Sequence, residues 1–143
     1  MIKQVRNQRY ISKVILILFI LVFAACEKRS KDVADMGVSF DWISPEAPLD
    51  KNPEIHLTNV PEASHRFLVE LVDLDLKQYN HGGGYYPYNG SLVIPAGGLD
   101  GYYQGPSPPP GVVHQYQFTV KALDADGAVI GEGRHTRQYP ESD

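Results

Sequence analysis

The segment Gln115–Leu123 (QYQFTVKAL) alternates without a break: Tyr116, Phe118, Val120 and Ala122 fall on one side, and Gln115, Gln117, Thr119 and Lys121 on the other. A period of two is the spacing of a β-strand with one apolar face. Such a face has to be buried against a second layer. Asp124-Ala125-Asp126-Gly127 follows as a hairpin-type turn, Ala128–Ile130 returns, and a last extended stretch is predicted over Gly133–Gln138. No segment carries helical periodicity over three turns. The eleven prolines and thirteen glycines in 143 residues demand many turns, which suits an all-β chain.

Further strands are predicted over Val38–Ile43, Glu54–Thr58 and Ser91–Ile94. Arg66–Val72 (RFLVELV) is nearly continuous apolar and reads as a strand buried on both faces. If it persists, Asp73 and Asp75 share the face of Phe67, Val69 and Leu71. A carboxylate emerging from an apolar face needs partners, because unpaired burial is costly or forces protonation. Tyr79–Gly90 (YNHGGGYYPYNG) is not a helix, since each glycine costs about 1 kcal/mol there. The backbone N–H groups of Gly82–Gly84 offer a nest for an anion. A long loop runs from Pro95 to Gly111, stiffened by Pro106, Pro108, Pro109 and Pro110. The sum predicts an all-β, antiparallel Greek-key β-sandwich with long loops at one end and little helix.

The N-terminus is of a different kind. Lys3, Arg6, Arg9 and Lys13 precede an apolar run of twelve residues, Val14–Ala25. That is the length of an export-signal core and falls short of the ~20 residues that span a bilayer. Ala24, Ala25 and then Cys26, the only cysteine in the chain, complete the pattern. A lone cysteine here resembles the lipobox of bacterial lipoproteins, with Phe23 where leucine is usual. The resemblance implies acylation of Cys26 and its amino group, and several acyl chains anchor stably where one does not. The expected organisation is a signal peptide over 1–25, a tether over 26–36 and one domain over 37–143. The implied location is the cell envelope, with the membrane as partner through Cys26.

Charge narrows the other partners. The chain has 13 basic and 17 acidic residues, and the leader takes four of the basic and none of the acidic. The remainder, 9 against 17, carries a formal charge of -8. Nucleic acid is a poor partner for such a surface.

His114 opens the best strand, and Tyr116 at i+2 projects to the same face about 6–7 Å away. Gly105-Pro106-x-Pro108-Pro109, then His114-x-Tyr116-x-Phe118-Thr119-Val120-x-Ala122-Leu123-Asp124, resembles the signature of the phosphatidylethanolamine-binding protein (PEBP) family, which includes the bacterial Raf kinase inhibitor-like proteins. Asp73-x-Asp75 followed by His81 is similar to its other motif. The resemblance covers most of Glu54–Asp126. It implies a β-sandwich with a small surface pocket for phosphate-type anions, lined by Asp73, His81, His114 and Tyr116, with Ser107 contributing backbone. It implies no metal and no other cofactor. Three positions depart from the pattern: Lys77 replaces a proline, Gly82 a tryptophan and Gln115 an arginine. Tyr85 or Tyr86 is then the expected replacement for the missing aromatic wall.

The function expected is non-catalytic binding of a small anion of phosphate or phospholipid-headgroup type. Binding is expected to tighten as pH falls, since imidazole in water gains its proton near ~6.5. Three alternatives use the same residues or their neighbours. Asp73, Asp75, His81 and His114 suit a divalent metal, although no compact ligand spacing is present. A weak hydrolase would pair Asp73 with a histidine. Ser107, however, has no Gly-x-Ser-x-Gly elbow and no neighbouring base in sequence, so it does not read as a nucleophile. Tyr85, Tyr86 and Tyr88 suit a protein-interaction surface.

Overall fold

The computed structural model describes residues 32–42 and 50–141. The expected signal, Cys26 and most of the tether lie outside the described residues. Every described element is a strand, in the order β1 (Ala34–Asp35), β2 (Gly37–Phe40), β3 (Ile55–Thr58), β4 (Arg66–Asp73), β5 (Gly83–Pro87), β6 (Val93–Ile94), β7 (His114–Leu123) and β8 (Val129–Tyr139). They form a five-stranded sheet, β1-β8-β7-β4-β5, and a three-stranded sheet, β2-β3-β6. All pairs are antiparallel except β1 with β8, which is parallel and departs from the expected all-antiparallel pairing. Asp32–Asp143 is a compact unit, and its core is internal to it.

The alternation of β7 explains the sandwich. Tyr116, Phe118, Val120 and Ala122 are buried and meet Phe67, Val69 and Leu71 of the neighbouring β4. Val38, Phe40, Ile55, Leu57 and Ile94 of the smaller sheet close over them. Phe40 touches Phe118 edge to face at 4.8 Å, which ties the two layers together. Each fully buried Phe, Ile or Val contributes roughly 1.5–3 kcal/mol to holding the layers.

Three expectations need correction. β4 is buried on one face only: Leu68 and Val72 are half-buried, and Arg66 and Glu70 are exposed. Its other face is a flank of the sheet, so continuous apolarity overstated its burial. The expected tether is structured at its end, because β1 pairs with β8, the Met36 N–H donates to the Glu132 carbonyl at 2.9 Å, and Met36 is buried. The return after the hairpin is one strand of 11 residues rather than two pieces. Gly131 and Gly133 interrupt its pattern in sequence yet stay in the ladder with β7.

Candidate functional site

The site forms where β4 ends and β7 begins, a place fixed by their register of Asp73 against Tyr116. Asp73 lies on the apolar face of β4, as period two requires, and is 2% exposed. Its carboxylate is fully engaged. Oδ1 accepts the N–H groups of Asp75 (2.8 Å) and Leu76 (3.0 Å), and Oδ2 meets His114 Nδ1 at 2.7 Å. Burial pushes the Asp73 carboxyl up. The His114 hydrogen bond, the two N–H donors and the His114 charge outweigh it and hold the group below its ordinary range.

Asp75 does not share that burial. β4 stops at Asp73, so Asp75 is exposed, and its carboxylate accepts the Gln115 N–H at 2.6 Å. Leu74 N–H donates to the Gln115 carbonyl at 2.7 Å, so both backbone groups of Gln115 are held by the turn after β4. This locks the start of β7 against the end of β4.

Tyr116 stands at the centre. Its hydroxyl accepts the backbone N–H of Ser107, a residue that is itself exposed, at 3.3 Å. Burial, together with the charges of Asp73 and Asp75, raises its pKa well above that of free tyrosine, so the phenol keeps its proton. Trp42 supports the ring from behind at 5.9 Å, edge to face, and is itself held by a 2.9 Å bond from its indole N–H to the Gln138 carbonyl.

His81 meets Tyr116 edge to face at 5.2 Å and is 2% exposed. Its Nδ1 lies 2.8 Å from the Gln104 carbonyl oxygen. A carbonyl only accepts, so this nitrogen carries the proton and Nε2 presents a lone pair in the neutral ring. Nε2 makes no hydrogen bond to another described residue, and since no buried side-chain nitrogen is left without a partner, it reaches the surface there.

The structure therefore brings Asp73, His81, Ser107, His114 and Tyr116 to one place. It does not bring the tyrosines of β5 there. Tyr85 sits under the Arg66 guanidinium, and Tyr88 packs on Phe67, at the far end of β4 from Asp73. Besides Tyr116, His81 has Tyr79 as an aromatic neighbour, with ring centroids 4.7 Å apart. Tyr79, Tyr102 and Gln104 escape sequence reading, because the chain joins them only in space. Gln104 Oε1 accepts the hydroxyls of Tyr79 (3.0 Å) and Tyr102 (2.7 Å).

The glycine run is not an anion nest. Gly82 N–H donates to Asn80 Oδ1 at 2.9 Å and Gly83 N–H to the Tyr102 carbonyl at 2.7 Å. The glycines are needed for room: a Cβ on Gly82 would lie 2.1 Å from the Tyr102 carbonyl oxygen, and one on Gly83 1.9 Å from that of Val69. They let the 100–104 segment close over β5 and deliver Gln104 to His81.

No protein-family model matches the chain, and no curated protein matches it. Solved structures do, and they define its class: the fold is that of the PEBP proteins. One is a Chlamydia trachomatis protein described as a PEBP homolog, 16% identical, with a TM-score of 0.55, matching over 76% of this chain and 99% of its own. Another is YbcL of Escherichia coli, described as a new member of the mammalian PEBP family, 18% identical, with a TM-score of 0.56, over 76% of this chain and 100% of its own.

Proposed function

We propose that the chain is a PEBP-family binding protein, exported and lipid-anchored through Cys26. Its His81–Tyr116–His114 cluster takes a small phosphate-type anion without turnover. The observation that carries the reading is the His81 ring, held edge to face against Tyr116 with Nδ1 fixed by Gln104, while Nε2 makes no hydrogen bond to another described residue. A protonated imidazole, or a protonated phosphate oxygen facing the neutral one, supplies the missing hydrogen bond. Asp73 stands ionised nearby, so an anion needs added positive charge to settle there.

Two consequences follow. Phosphate affinity, measured by calorimetry on residues 28–143, rises as pH falls from about 7.5 to about 6. His81→Ala lowers it at least tenfold. An affinity that is flat across that range, or unchanged in His81→Ala, sinks the reading.

One observation favours a second occupant. Ligand atoms of Asp73, Asp75 and His114 all lie within 4.8 Å of one another. Two carboxylates and an imidazole suit a divalent cation, which would have to draw His114 away from Asp73. Zinc or manganese that copurifies stoichiometrically, and a melting temperature that falls with chelator, would favour the metal.

A further inference from the structure

Of the five asparagines in the chain, only Asn89 is followed by glycine. The backbone nitrogen of the next residue is the nucleophile that makes asparagine labile, and that residue's side chain obstructs the attack. Asn80 and Asn89 form an internal comparison. Both are exposed, and each Oδ1 accepts the N–H two residues on, at 2.9 Å from Gly82 and 3.0 Å from Ser91. The residue between differs. After Asn80 it is His81, buried and pinned by the Gln104 carbonyl and the Tyr116 ring. After Asn89 it is Gly90, exposed, with φ of 90°. Chain neighbours aside, no heavy atom lies within 4 Å of where a Gly90 Cβ would stand. The Gly90 N–H makes no hydrogen bond to another described residue. Asn52 is closed to this chemistry because Pro53 has no N–H, and Asn59 leads into Val60, which is β-branched and packed on the core. Asn7 lies outside the described residues.

The geometry points to Asn89 as a site of spontaneous covalent modification, deamidation by way of a succinimide. The Gly90 nitrogen gives its proton to solvent base and attacks Asn89 Cγ. The N–Cγ bond forms, Cγ–Nδ2 breaks, and Nδ2 leaves as ammonia. Water then opens the ring. Addition at Cγ gives aspartate. Addition at the main-chain carbonyl carbon gives isoaspartate, in which the backbone runs through the side chain. Either way an amide becomes a carboxylate, water is consumed, ammonia is released and nothing is oxidised or reduced.

The place of Asn89 gives the reaction a structural consequence. Residues 89–91 link two anchored points. The Tyr88 N–H donates to the carbonyl of His65, next to β4 of the larger sheet, at 3.0 Å. The Leu92 carbonyl accepts the Leu57 N–H of β3, in the smaller sheet, at 2.8 Å. Aspartate leaves the main chain as it is, and its carboxylate accepts the Ser91 N–H as the amide oxygen does. Isoaspartate adds a methylene to this short crossing between the layers and so works against both anchors.

Ageing of the purified protein at about pH 8 and about 37 °C, followed by peptide mass spectrometry and an isoaspartyl assay, tests the inference. Asn89 is expected to gain about 1 Da, at a rate at least tenfold above those of Asn52, Asn59 and Asn80 and within threefold of its own rate in urea. The rate is expected to rise with pH, because the attacking nitrogen must lose its proton. Gly90→Ala, and Asn89→Gln, whose side chain would have to close a larger ring, are expected to lower it at least tenfold. Thermal unfolding checks that both variants are folded. The aged protein, which carries isoaspartate, is expected to melt below Asn89→Asp, which matches it in charge. An Asn89 rate more than threefold below that in urea, or less than tenfold above that of Asn80, overturns the site. Aged protein that melts together with Asn89→Asp overturns the strain at the crossing.

Discussion

Two aspartates end two neighbouring strands of this sheet with the same local device. Asp73 is the last residue of β4, and Oδ1 accepts the N–H groups two and three residues on, at 2.8 and 3.0 Å. Asp124 follows β7, and its Oδ1 accepts those of Asp126 and Ala128 at 3.1 and 2.9 Å. Both are buried. The chain beyond them differs. After Asp124 it closes a tight hairpin at Gly127, whose φ of 82° suits glycine, and returns at once as β8. After Asp73 it wanders through Tyr79 and His81 before β5, and the other oxygen of Asp73 meets a histidine 41 residues away. A turn-capping carboxylate becomes part of a site when a long loop and a second strand bring titratable groups to it.

Removing each carboxylate breaks the comparison most sharply. Asp73→Ala strands two backbone donors and leaves His114 without its partner, a loss of about 2–4 kcal/mol. Asp124→Ala loses a turn cap, worth about 1 kcal/mol. Urea unfolding of the two variants measures the difference. Phosphate binding should fall in Asp73→Ala, where loss of the turn and of the His114 anchor outweighs removal of a like charge, and persist in Asp124→Ala. Equal losses of stability would show that Asp73 is a turn cap and nothing more.

Acid sharpens the same contrast. Asp73 is held below its ordinary value of 3.8, so as pH falls the unfolded chain takes up that proton first. The stability it supplies is fully present above about 3.8 and drains away as pH drops through the lower folded value. From about pH 5 to about pH 3, the urea midpoint of the wild type should therefore fall more steeply than that of Asp73→Asn. Parallel slopes would remove the charged pair from the account.

The elements that sequence makes legible are those with a period. Tyr116 and Phe118 in β7, and Phe67 through Asp73 in β4, declare their buried faces by alternation, and the sandwich follows from them. Ala34–Asp35 has two residues and no period, so a parallel pair there leaves no trace in the sequence. The site divides in the same way. Asp73, His81, His114 and Tyr116 stand in a recognisable motif. The use of Gly82–Gly84 depends on chain both before and after them, because only the approach of the Val69 carbonyl from β4 and the Tyr102 carbonyl some 20 residues later shows that these glycines make room rather than bind. Gln104 is invisible for the same reason: its work is done by a backbone carbonyl on His81 and a side-chain oxygen shared by two phenols.

Asp75 gives the smallest effect and the finest discrimination. It is exposed, and its carboxylate accepts the Gln115 N–H. An asparagine oxygen can accept that hydrogen as well, so Asp75→Asn should shift stability by no more than about 0.5 kcal/mol. What it removes is a negative charge that the Tyr116 hydroxyl feels. A phosphate bound beside that hydroxyl loses a like-charge neighbour, so its affinity should rise modestly. A divalent cation held by Asp73, Asp75 and His114 loses a charged ligand, so its affinity should fall. The two occupants thus predict opposite signs for one nearly silent substitution, and titrating the variant with phosphate and with zinc reads both.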